Sequence, residues 1–113
     1  MIAQIAYFDG PRSPEVVAAS ERAGRERIIP AVSADHQIRA GHRGTVVLRQ
    51  PDGTQLVLVM ADSPATLDRG DAVITATPLL PGEDPALLTG PDRLERYDVV
   101  AAHDADYRDL VPA

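Results

Sequence analysis

Residues 56–61 read Leu-Val-Leu-Val-Met-Ala, six apolar side chains in a row. Upstream lie a β-rich stretch, Thr45-Val46-Val47-Leu48, and the segment Gln50-Pro51-Asp52-Gly53-Thr54. Two β-rich runs joined through Pro-Asp-Gly predict an antiparallel hairpin. Neighbouring strand residues face opposite sides of a sheet, so a strand with one wet face alternates apolar with polar. Residues 56–61 do not alternate. Both faces of that strand need cover, yet the helices of a small antiparallel sheet shield one face only. A second copy of the chain is the simplest cover for the other face, which predicts a homodimer through sheet faces.

Composition narrows the alternatives. A chain of 113 residues supports one domain around one core. With one Phe, three Tyr and no Trp, that core is built from Val, Leu, Ile and Ala. A net charge of −6 repels phosphate backbones and anionic membranes, so neither nucleic acid nor membrane is expected as a partner. The absence of Cys removes disulfides, thiolate nucleophiles and Cys-type zinc sites together. Met1-Ile2-Ala3-Gln4 lacks the basic and apolar parts of a signal peptide, and no stretch approaches membrane-spanning length. A cytoplasmic location is expected.

Residues 2–8 predict a first strand, with Gln4 its one clearly polar member, stopped by Asp9-Gly10-Pro11. Ser13, Pro14 and Glu15 form a helix start: a hydroxyl N-cap, proline at the first helical position, then an acid near the positive end of the dipole. Val16, Val17, Ala19, Ala23, Gly24 and Ile28 share one side at helical spacing, while Glu21–Arg25 and Arg22–Glu26 suit a solvated face. Pro30 disfavours helical geometry at Ile29 and is expected to end the element. Residues 33–44 are polar and predict a loop. Asp62-Ser63-Pro64 starts a second helix through Ala65 and Leu67, weakened at Gly70, with residues 73–77 readable as helix or strand. Pro78, Pro81, Pro85 and Pro91 break the chain, leaving room for one helical turn at Ala86-Leu87-Leu88. Residues 94–101 predict a fourth strand, with Tyr97, Val99 and Ala101 on one face and Arg96 and Asp98 on the other. Residues 1–101 thus form one domain and residues 102–113 a C-terminal tail, either mobile or docked on a partner. The order β-α-β-β-α-β predicts an α+β, ferredoxin-like fold: an antiparallel sheet with both helices on one face.

This order, together with local phrases, resembles the dimeric α/β-barrel family that includes antibiotic-biosynthesis monooxygenases and haem-degrading monooxygenases. The phrases are the strand at 2–8, Arg27-Ile28-Ile29-Pro30, the Gly44-anchored hairpin, Asp62-Ser63 and Arg96-Tyr97-Asp98-Val99-Val100. The resemblance covers residues 1–101. It implies two ferredoxin-like subunits with sheets face to face, a cavity between each sheet and its helices, and oxidation of polycyclic phenols by molecular oxygen without a cofactor. The chain departs from the family pattern at three points. Ala61 stands where a Trp is common, no His occurs on the second helix, and the first strand lacks an Asn. Haem degradation is therefore disfavoured, and no cofactor is expected.

His36 and His42, beside Asp35, form one titratable cluster. Their spacing fits no metal motif, and no metal is expected. Each is a candidate catalytic base, since a group with pKa near neutrality suits phenol deprotonation, or else part of a solvated loop. His103 is expected to be exposed. Tyr7 and Tyr97 fall on adjacent strands, and each either binds a ligand oxygen or packs with its hydroxyl on a backbone partner. Tyr7 is also a catalytic candidate, and Met60 a ligand-binding one. Arg49 and Arg96 suit rim or interface charges. Two functions follow: an oxygenase-like enzyme for an aromatic or quinone-type substrate, or a non-catalytic ligand-binding or stress-related accessory dimer.

Overall fold

In the computed structural model of the chain, which describes residues 1–106 and 108–110, the first strand lies inside the sheet. Strand β1 (Ile2–Phe8) pairs antiparallel with β3 (Gln55–Ala61) on one side and with β4 (Arg93–Asp98) on the other. Strand β2 (His42–Arg49) completes the hairpin, giving the order β2-β3-β1-β4. This four-stranded antiparallel α+β arrangement is compatible with a ferredoxin-like fold. The hairpin turn is closed by Gln50 N–H on Thr54 O (2.8 Å) and by the Asp52 carboxylate accepting from Thr54 N (2.9 Å). Gly53 in that turn has φ +92, and a Cβ there would sit 2.6 Å from the carbonyl oxygen of Arg12.

Register assigns the faces. Gln4 pairs across with Val59 and Arg96, and Val59 with Thr45, so these four side chains form one row toward the helices. Ala3, Ile5 and Tyr7 point the other way, with Leu56, Leu58 and Met60, Val46 and Leu48, and Tyr97. Val46, Leu48 and Tyr97 on that far face are exposed, and residues 56–60 are all half-buried. Neither face of β3 is fully dry in a single chain.

Four expectations are corrected. Helical structure runs past Pro30: α1 (Pro14–Ala23) leads through a π turn (Gly24–Ile28) into α2 (Ile29–Ala34). Proline lacks an N–H and crowds the preceding carbonyls, and the wide turn, in which Ile29 N–H bonds Gly24 O, relieves that conflict without ending the helix. The segment 33–44 is not a loop. Asp35 accepts from Ile38 N and caps α3 (His36–Gly41), after which β2 begins at His42. The fourth strand stops at Asp98, so Val99 and Ala101 lie outside it. Gly70 does not end its helix either, since α4 extends over Pro64–Ala76.

The 3₁₀ turn Pro85–Leu87 sits where a single helical turn was expected. Beyond β4, exposed His103 pairs with Asp109 at 2.7 Å. Tyr107 and residues 111–113 of the tail lie outside the described residues. Gly53→Ala is expected to lower the unfolding free energy by about 1–3 kcal/mol in urea titrations, because alanine tolerates neither that φ nor the contact with Arg12.

Candidate functional site

The interior is short of large side chains. Among the described residues the buried apolar ones are Ala23, Ile38, Ala61 and Leu67, with Ala3 on the far face of the sheet, and no large side chain is fully enclosed. The volume a packed core would fill is instead a cavity of about 550 Å³ between the sheet and the helices. Ligand pockets span about 300–1,000 Å³. Its floor is the helix-facing side of the sheet: Ala6 and Phe8 of β1, Val57 and Val59 of β3, and Leu94 of β4. Ile28 and Val32 form the roof from the first helical run, and Leu67 and Ile74 from α4.

Polar side chains are the minority of this lining. On the β2 side His42 Nε2 and Thr45 Oγ1 share a hydrogen bond at 2.8 Å, and both residues line the cavity. On the β1 side stand Gln4 and Asp71, joined by Gln4 Nε2 donating to Asp71 Oδ1 at 2.9 Å. Arg96 Nε donates to Gln4 Oε1 at 2.9 Å, and its Nη2 donates to Asp68 at 2.7 Å. Thr45 and Gln4 are two strands apart in one row, hence about 10 Å from each other, with Val59 between them. Arg12 lines the cavity as well, its guanidinium stacked 5.0 Å from the Phe8 ring centroid. Burial lowers the pKa of Arg12, and Arg49 nearby adds to the shift.

One end is closed by a strap, residues 77–92 between α4 and β4, which presents Leu87 and Leu88 to the cavity. Two arginines of the first helical run fasten it. Arg22 Nη2 donates to Pro81 O at 3.1 Å, and Arg27 Nε donates to Glu83 Oε1 at 2.7 Å. The Arg27 and Glu83 side chains are only 9% and 2% exposed. The Leu80 N–H, and after it Arg27, hold the Glu83 carboxyl below its ordinary value.

The structure separates the residues singled out from the sequence. His42 reaches the cavity. His36 does not: it lies with Arg39 and Ala40 on a separate shallow depression. Tyr7, Tyr97 and Met60 lie on the opposite sheet face, so of the two alternatives for the tyrosines a hydroxyl inside this cavity is not the one found. Strand parity decides this, because Tyr7 is three residues from Gln4. On that far face Tyr97 donates to Glu95, the tyrosine hydroxyls are 3.4 Å apart, and Arg93 sits 4.0 Å over the Tyr7 ring. The Glu95 hydrogen bond, and after it Tyr7, raises the Tyr97 pKa, so its phenol stays protonated. Arg49 pairs with Glu21 and Gln55 at the sheet edge.

Gln4, Asp71, Arg27 and Glu83 escaped the sequence reading. Only Gln4 left a signal, as the polar residue of an otherwise apolar strand. Among the described residues no three His, Asp or Glu side chains gather to hold a metal. Among them, too, no helix is long and apolar enough to cross a membrane. The chain matches no protein-family model, and a search of curated proteins finds no match.

Glu83 has a depressed folded pKa, so its contribution is complete above the ordinary value of 4.5 and is lost as pH falls through the lower folded value. Thermal melts are expected to show stability falling below about pH 4.5, with proteolysis in residues 77–92 rising in step. Glu83→Gln is expected to reduce that pH dependence and to raise cleavage of the strap at neutral pH.

Proposed function

We propose that this chain is a small-molecule-binding homodimer with a ferredoxin-like subunit, whose ligand is an apolar molecule of aromatic or quinone type. The cavity carries this reading. A volume near 550 Å³ is lined mainly by apolar surface, with a minority of hydrogen-bonding groups, His42, Thr45, Gln4 and Asp71 among them. That pattern suits a flat, apolar frame bearing oxygen atoms. The element order that resembles the antibiotic-biosynthesis monooxygenases supports the same class of ligand. Binding to the folded state alone stabilises it by about 2.7 kcal/mol at a hundredfold excess over Kd. A panel of anthrones and naphthols is therefore expected to raise Tm in a concentration-dependent way. A Tm that none of them moves counts against a binding cavity.

The contact of His42 with the cavity favours a second reading, in which binding leads to turnover. His42 takes a proton from a bound phenol or its keto tautomer, and the resulting carbanion reacts with oxygen. A ring CH₂ then becomes C=O, with one oxygen atom entering the product and the other leaving as water. Oxygen uptake with anthrone that His42→Ala abolishes, and His36→Ala leaves intact, is the outcome this reading expects. Binding without uptake leaves the non-catalytic accessory dimer.

The dimer rests on the far sheet face. Val46, Leu48, Leu56, Leu58 and Met60 share that face, the first two exposed and the other three half-buried, and a contiguous apolar patch of this kind suits an interaction site. Its charged border, Arg93 with Glu95, is neutral as a pair although the chain carries −6. Two acidic copies therefore meet on the face where like-charge repulsion is least, and one patch serves both in an isologous contact. Sedimentation is expected to give twice the 12.1 kDa chain mass for the wild type and a monomer for Leu58→Arg. A monomeric wild type at micromolar concentration would refute the pairing.

A further inference from the structure

Gln4 lines the cavity from the sheet and Asp71 from α4, and although Arg96 Nη2 lies 3.4 Å from Asp71 Oδ2, the pair keeps hydrogen-bonding capacity that the fold does not exhaust. Gln4 is 7% exposed, and its amide has one sensible orientation. The oxygen accepts from Arg96, and the nitrogen donates to Asp71, each at 2.9 Å. Turning the amide over would set N–H against a guanidinium and oxygen against a carboxylate. An amide nitrogen carries two protons, and Asp71 takes one. Each carboxylate oxygen accepts more than one hydrogen bond. Donor and acceptor thus meet where the sheet and α4 face each other, and Ala6, Val59 and Leu94 share the same lining.

We propose that Gln4 and Asp71 together read a hydroxyl, phenolic or alcoholic, on the ligand. The second Nε2 proton of Gln4 goes to the ligand oxygen, and the hydroxyl hydrogen goes to the Asp71 carboxylate. A hydroxyl satisfies both partners, an ether or ketone oxygen only the amide, and a bare hydrocarbon neither. The oxidised, quinone form of a phenol therefore loses one of the two contacts that hold the reduced form. Arg96, anchored on Asp68, is the positioning residue that keeps the amide from turning. This assignment rests on the cavity being a ligand site, as proposed above.

Calorimetric titration of the full chain with 1-naphthol, 1-methoxynaphthalene and naphthalene tests it. The expected order of affinity is naphthol, then methoxynaphthalene, then naphthalene, with about tenfold per lost contact. Asp71→Asn is expected to bring naphthol down to the methoxy compound, and Gln4→Leu to erase the difference between methoxynaphthalene and naphthalene. Nuclear magnetic resonance of the unaltered protein gives an independent reading should Gln4→Leu not fold. One Nε2 proton of Gln4 is expected to shift with the two oxygen-bearing probes and not with naphthalene. Equal affinities for all three probes would overturn the hydroxyl assignment and leave the cavity reading intact. Failure of all three to bind would overturn the cavity reading and this assignment with it.

Discussion

The antiparallel register of β1 against β3 governs what every other part of the molecule does. Opposing Gln4 with Val59 sends one set of side chains toward the helices and the alternate set toward the far face. A slip by a single residue would exchange the two sets, placing Tyr7 in the cavity and Gln4 on the outside. Both sets are mainly aliphatic, so apolar patterning alone does not distinguish them. The hairpin turn does, because Gly53 and the Asp52 carboxylate fix where β2 and β3 begin to pair.

A sheet apolar on both faces and short of aromatic residues leaves its helices little to pack against. Alanines occupy three of the five buried apolar positions, and the result is a hollow rather than a filled interior. Polar contacts hold the layers together around that hollow. Arg69 reaches Asp35 at the cap of α3, and Arg96 ties β4 through Asp68 to α4. Exposed ion pairs of this kind contribute little singly. The better-shielded Arg27–Glu83 contact is different, since neither partner can turn to water without opening the strap.

Much of the framework was legible because it is written locally. Ser13-Pro14 and Ser63-Pro64 mark two helix starts, Pro51-Asp52-Gly53 marks the turn, and residues 2–8 form the strand they announce. Errors arose where a local rule met a tertiary answer. Pro30 stops an ideal helix, but a π turn accommodates it, and Asp35 caps a helix too short to show periodicity. The candidate site was harder to see. His42 was visible as a titratable residue in a polar stretch. Asp71 and Arg96 gain their roles only when α4 and β4 converge on Gln4, 67 and 92 positions away in the chain. No single-sequence pattern encodes that convergence.

The strap divides labour within the chain. Its backbone joins the sheet at its C-terminal end, where Asp92 N–H bonds Tyr7 O at 2.7 Å, and its anchors on the first helical run are side chains. A segment so fastened opens at a fraction of the free energy that unzipping a strand demands. Local opening of residues 77–91 would leave the four strands paired, so a change at Leu87 and Leu88 stays separate from the integrity of the framework around them.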